Sequence, residues 1–151
     1  MSRGMSAERE QEYADLHAYL DYYSTHVSGI DPSSPSHPTN AGKQIVAEFG
    51  RSKALDGLRQ AVNDTVEELN GRDLAYIEAL DSKLRENGLL TVSEVRRRYS
   101  SSYRRIVKRG RISSEAEYYL VAGILADSVR SGSETERALL EKLSAQYRRG
   151  A

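Results

Sequence analysis

The chain has 151 residues, no cysteine, 38% hydrophobic and 29% charged residues, and equal numbers of Lys/Arg and Asp/Glu, 22 of each. That length can bury one core without metal or disulfide staples, the missing cysteine excludes thiolate nucleophiles and sulfur-held metals, and this balance of apolar and charged residues argues against a disordered chain. No apolar run reaches the roughly 18 residues of a membrane helix, and the N-terminus lacks the apolar core of a signal peptide, so a single cytoplasmic domain is expected.

The zero net charge conceals a division of sign. Residues 1–95 hold 9 basic and 16 acidic side chains, whereas 96–111 hold eight Arg or Lys and no acid. Non-specific nucleic-acid binders usually carry basic excess over the whole domain, which this chain does not.

The first element is an acidic amphipathic helix from a Ser6 cap to about Val27. Glu8 and Glu10 lie at its positive end, and Tyr13, Leu16, Leu20, Tyr23 and Val27 form one stripe. The segment 1–28 is followed by a loop or linker, 29–42, which contains Pro32, Pro35 and Pro38; each proline removes an amide donor and biases its predecessor toward extended backbone. A linker of that length permits the first helix to dock on a second copy. The tyrosines Tyr19, Tyr22 and Tyr23 suggest a homodimer contact there.

The remainder, 43–151, reads as the core of a helical bundle, with a short helix at Lys43–Phe49 as an optional seventh. Ser52 is a candidate cap for a helix with its seam at Leu55, Leu58, Val62, Val66 and Leu69, ended by Asn70-Gly71. Asp73 starts another, with Leu74, Ile77, Leu80 and Leu84 inward and Asn87-Gly88 as its stop. Thr91 and Glu94 have capping-box spacing, and Val92, Val95, Tyr99, Tyr103 and Ile106 run as one seam to Gly110, which predicts a single long basic helix. Ser113 or Ser114 opens a helix that is apolar nearly all round, from Tyr118 to Val129, and therefore central. Ser133 and Glu136 box the last, whose buried face is Leu139, Leu140, Leu143 and Tyr147. No stretch alternates at period two, so the expected class is all-α, with six or seven helices.

Catalytic equipment is sparse. His17, His26 and His37 lack metal-ligand spacing, and the pairs Glu67/Glu68 and Glu115/Glu117 sit where helices favour acid anyway. Ser100, Ser101 and Ser102 have no adjacent base, and Gly42-Lys43 lacks the rest of a phosphate-binding loop. No catalytic residue, metal or cofactor is expected.

The basic helix stands apart because core packing does not account for it. Arg97, Arg104, Arg105 and Lys108 flank the seam, Tyr103 interleaves with them, and Arg111 follows the Gly110 stop. Such a surface has three readings: ion pairs with the acids of the first helix (Glu8, Glu12, Asp15, Asp21), an acidic protein partner, or nucleic acid. A helix-turn-helix bent at the three serines is the DNA version; an unbroken apolar phase through the serines argues for one continuous helix.

From Tyr103 to Asp127 the chain reads YRRIVKRGRISSEAEYYLVAGILAD. This basic helix, Gly-Arg-Ile turn, serine cap and aliphatic run resembles the C-terminal helical hairpin of small bacterial immunity proteins from contact-dependent growth inhibition systems. The resemblance implies a cytosolic protein that neutralises a toxin by occluding it, with no catalytic residues to carry over. It also implies an acidic binding surface where the toxin is a nuclease, for which Glu8, Glu10, Glu12, Asp15 and Asp21 are the candidates.

Overall fold

The structure, a computed structural model, describes residues 5–131 and 133–150; the side chains of 128–131 are not among those described, so the expected inward place of the Val129 side chain lies outside what is described. The described residues form eight α-helices and no strand: α1 Ala7–Tyr22, α2 Pro38–Phe49, α3 Arg51–Glu68, α4 Leu74–Glu86, α5 Val92–Tyr99, α6 Ser101–Arg109, α7 Glu115–Ser131 and α8 Glu134–Gly150. The all-α class is as expected. The helix count exceeds six or seven because a helix begins inside the proline stretch and because the basic helix is two helices. The chain packs as two compact units, residues 1–65 and 66–151, divided within α3.

In the first unit Ser6 caps α1 by accepting the Arg9 N–H at 3.3 Å. A π-helical turn, Tyr23–Val27, extends α1 with the Ser28 N–H bonded to the Tyr23 carbonyl, and Gly29 at φ 72° ends it. Leu16, Leu20 and Tyr23 are buried as their spacing predicts, and so is Tyr19. The Thr65 hydroxyl donates to the Val62 carbonyl at 2.7 Å, which leaves its oxygen to accept from the Tyr19 hydroxyl at 3.0 Å; the Tyr23 hydroxyl donates to the Thr65 carbonyl. A bidentate bond from Arg59 to Glu12, at 2.6 and 2.9 Å, adds to this docking on α3 of the same chain. Two of the three tyrosines assigned to a dimer contact are therefore core residues. Among the described residues of this unit, the large apolar side chains that stand exposed are instead Ile45 and Phe49 on α2.

The proline stretch is folded, not extended. Asp31 accepts the Ser33 N–H and hydroxyl at 2.8 and 2.7 Å, and the Asn40 amide donates to the carbonyls of Pro32 and Ser34. Its third proline occupies the first position of α2, where a missing N–H costs nothing, and His37 ahead of it has the extended backbone that a following proline favours. The helix thus begins five residues before Lys43. It ends at Gly50 (φ 86°), and α3 starts at once at Arg51, which displaces Ser52 from the expected capping position.

His37 is fully buried, a role its place in a proline loop did not suggest. Its Nδ1 accepts the Thr39 N–H at 3.3 Å and caps α2, while Nε2 lies 3.0 Å from the Thr25 hydroxyl on the π turn. Replacement by alanine is expected to cost about 2 kcal/mol through the lost cap and the cavity, and His37→Asn, which keeps a capping acceptor, should recover roughly half. Urea titration followed by amide exchange in α2 checks this, since the protection lost should centre on Thr39–Lys43.

In the second unit α7 is central, as its composition predicts, and packs against α4, α5, α6 and α8. Leu120, Val121 and Ile124 from α7, Tyr103 and Ile106 from α6, and Leu140 and Leu143 from α8 form one buried cluster. Asp73 caps α4 by accepting the Tyr76 N–H at 2.8 Å. Asp81, 4% exposed, reaches from α4 to the start of α5, where it accepts the Val92 N–H at 2.7 Å and the Ser93 hydroxyl at 2.6 Å. Burial pushes its carboxyl above the ordinary range despite these donors.

Candidate partner-binding groove

The basic segment is broken at Ser100, whose extended backbone (φ −66°, ψ 122°) makes it at once the last cap of α5 and the first cap of α6. Its hydroxyl oxygen accepts the Tyr103 N–H at 3.1 Å. The expected single helix is thereby corrected. Glu67, at the end of α3, accepts from the hydroxyls of Ser100, Ser101 and Ser102, from the Ser102 N–H and from the Asn70 amide. Serine readily exchanges helical backbone for such local bonds, and a carboxylate at a helix N-terminus suits the dipole. Burial raises the Glu67 carboxyl, but the serine and Asn70 donors together outweigh it and hold it below the ordinary range.

The capping boxes are half realised. Thr91 and Ser133 accept the N–H groups of Glu94 and Glu136 as expected, yet the two carboxylates turn to the basic helices. Glu94, 8% exposed, holds Arg97 at 2.5 Å and Arg98 at 2.7 Å. Glu136 accepts from the Tyr103 hydroxyl at 3.2 Å and lies 3.8 Å from Arg97. Burial first, and the Glu136 charge second, push the Tyr103 phenol well above its ordinary value, so it remains a protonated donor.

Between α6 and the first turns of α8 this arrangement leaves an open groove of about 680 Å³. Arg97, Arg104 and Lys108 make one side cationic, the half-buried Val107 gives it an aliphatic surface, and Tyr103, itself buried, lies at its base. Glu136 and Leu139 approach from α8, and Leu139 is 37% exposed. The Arg104 guanidinium donates to the Arg98 carbonyl at 3.0 Å, a neutral acceptor, and Lys108 makes no ion pair among the described residues. The α6 edge thus keeps two cations whose charge no acid among the described residues offsets by direct pairing.

Four of the ten residues singled out from sequence come together here: Arg97, Tyr103, Arg104 and Lys108. Arg105 bonds the Ser102 hydroxyl at 3.2 Å, and the Arg111 carbonyl accepts from Arg109, so neither joins the groove. Arg109 also pairs with Glu117, which in turn accepts from Ser113. Glu8, Glu12, Asp15 and Asp21 belong to the first unit, where Glu12 meets Arg59, Asp15 meets Gln11, and Asp21 accepts from the Thr39 hydroxyl; Glu8 is exposed in the first turn of α1. Val107, Glu136 and Leu139 were not identified as site residues. Periodicity assigned the leucine to the core and the box assigned the glutamate to a cap, and only the packing of α8 beside α6 reveals their second role.

Among the described residues no group of three His, Cys, Asp or Glu is placed to hold a metal ion, and no helix is long and apolar enough to cross a membrane. The chain matches no family model, no curated protein and no solved structure.

Proposed function

We propose that this chain is a non-enzymatic protein-binding module, a toxin neutraliser of the immunity type or a small cytoplasmic regulator. The observation that carries the reading is the convergence of Arg97, Arg104 and Lys108 with Val107 and Leu139 on one open groove, a pairing of fixed cations with partly exposed apolar surface that suits protein recognition. The residues that could have suggested chemistry are used structurally: His37 caps a helix, Glu67 and the three serines form one capping cluster, and Glu117 ties the Gly110 turn to α7. Affinity purification of the tagged chain from its own host should recover one protein in stoichiometric amount, at least about tenfold depleted with Arg104→Glu/Lys108→Glu. Recovery of nucleic acid alone, or of nothing, contradicts the reading. Light scattering on the purified chain distinguishes a module that acts alone from one that acts as a homodimer through the first unit.

Nucleic-acid binding through residues 96–111 is the second reading, and the break at Ser100 favours it, because a helix-turn-helix requires two helices there. Arg104, Arg105 and Lys108 stand exposed on α6. This reading expects duplex or RNA affinity that falls steeply with salt and with Arg104→Ala/Arg105→Ala. An unshifted duplex and RNA at low salt remove it.

A further inference from the structure

We infer that the α6–α8 groove receives an acidic amphipathic helix of a partner protein, its carboxylates on Arg104 and Lys108 and its apolar side chains between Val107 and Leu139. The inference rests on the protein-binding reading and names the chemistry of the partner. Arg104 and Lys108 are one helical turn apart on α6, so their charges are presented in a row along the groove. A ligand that follows the row meets both with acids at the same spacing, which a helix provides. Such a ligand also brings an apolar stripe to the groove floor, as in other helix-in-groove complexes.

Two features select an acidic helix over a phosphate backbone. Val107 and Leu139 offer apolar surface that a polyanion leaves unused, and the Glu136 carboxylate inside the groove repels closely spaced phosphates. Glu136 also occupies Tyr103 and stands near the Nη1 of Arg97, while Glu94 takes its Nε and Nη2, so incoming carboxylates are directed to the outer pair. Arg105, bonded to Ser102 outside the groove, serves as an internal control.

The test uses the full chain and a fluorescein-labelled alanine-based peptide of about 18 residues, long enough to be substantially helical, with a leucine pair at i, i+4 flanked by glutamates. Anisotropy should report saturable binding, weakened at least about tenfold by Arg104→Glu/Lys108→Glu and by Leu139→Ser, and changed less than about twofold by Arg105→Glu. All of these side chains are exposed, so the variants should keep the wild-type circular dichroism. Equal binding of a peptide with lysine for glutamate or alanine for leucine, indifference to the groove variants, or preferential binding of a duplex DNA of matched charge each overturns the inference.

A photo-crosslinking side chain at Val107, compared with others at Tyr76 and Phe49 in the native host, separates the two levels of the proposal. Protein adducts at Val107 support both. Adducts at Tyr76 or Phe49 alone remove the groove and leave the module, and an absence of protein adducts at every position removes the protein-binding reading itself.

Discussion

Replacing Arg96 by alanine is expected to cost the second unit about 3 kcal/mol. Arg96 is 2% exposed and heads the fully buried side chains by volume. Its guanidinium donates to the Leu69 carbonyl at 3.2 Å, at the negative end of α3. A Cβ added to Gly123 of α7 would lie 3.6 Å from the Ser93 hydroxyl oxygen and 3.9 Å from an Arg96 nitrogen, ordinary contact distances that show how closely this side chain underlies α7. Alanine deletes the stem and leaves a cavity beneath the central helix. Methionine, which restores most of the stem without a charge to desolvate, should return to within about 1 kcal/mol of wild type. Urea titrations at neutral pH decide it: an alanine loss below about 1 kcal/mol, or a methionine variant no better than alanine, would show that the stem is not what holds α5 under α7.

Glu94→Gln is expected to lower stability by about 2 kcal/mol at neutral pH, since it weakens three charge-assisted hydrogen bonds at once, two from Arg97 and one from Arg98, and leaves Arg97 half-buried beside an uncharged partner. The effect should vanish in acid. Burial raises the Glu94 carboxyl, but hydrogen bonds from Arg97 and Arg98 outweigh it and hold the folded value below the ordinary 4.5. A depressed folded pKa gives stability that is present above the unfolded value and is lost as the pH falls through the folded one. The wild type and the variant should therefore draw together as the pH falls below the ordinary 4.5. Glu67 and Glu117 steepen the same acid limb, because their donors likewise outweigh burial. Asp81 opposes them: its raised carboxyl favours the folded state at low pH, and that contribution is lost as the pH rises through its folded value. A Glu94→Gln deficit that persists unchanged at pH 3 would refute the assignment.

The caps and stops were legible because they depend on residues within one turn of each other. Ser6, Asp73, Thr91, Ser114 and Ser133 each accept the N–H three positions on, and Gly71, Gly88 and Gly110 take the positive φ that ends a helix. The buried stripes were legible for a related reason, since a 3.6-residue period records which side of a helix meets the core. That same period misled at Ser100. Val95 and Tyr103 are buried on either side of the break because α5 and α6 both pack on α7, so an unbroken apolar phase did not require an unbroken rod.

What the amino-acid order settled by itself was the helical class, the position of most helix ends, the central place of α7 and the concentration of cations in 96–111, all properties of neighbours along the chain. What only the tertiary structure decided was the partner of each charged or polar group: Glu67 for the serines, Glu94 for Arg97 and Arg98, Glu136 for Tyr103, Thr25 for His37. Those pairings join residues that are distant in sequence or that have several equally spaced candidates. A side chain of fixed charge carries no record of which opposite charge the packing will bring to it, and the groove beside α6 exists because α8 packs alongside.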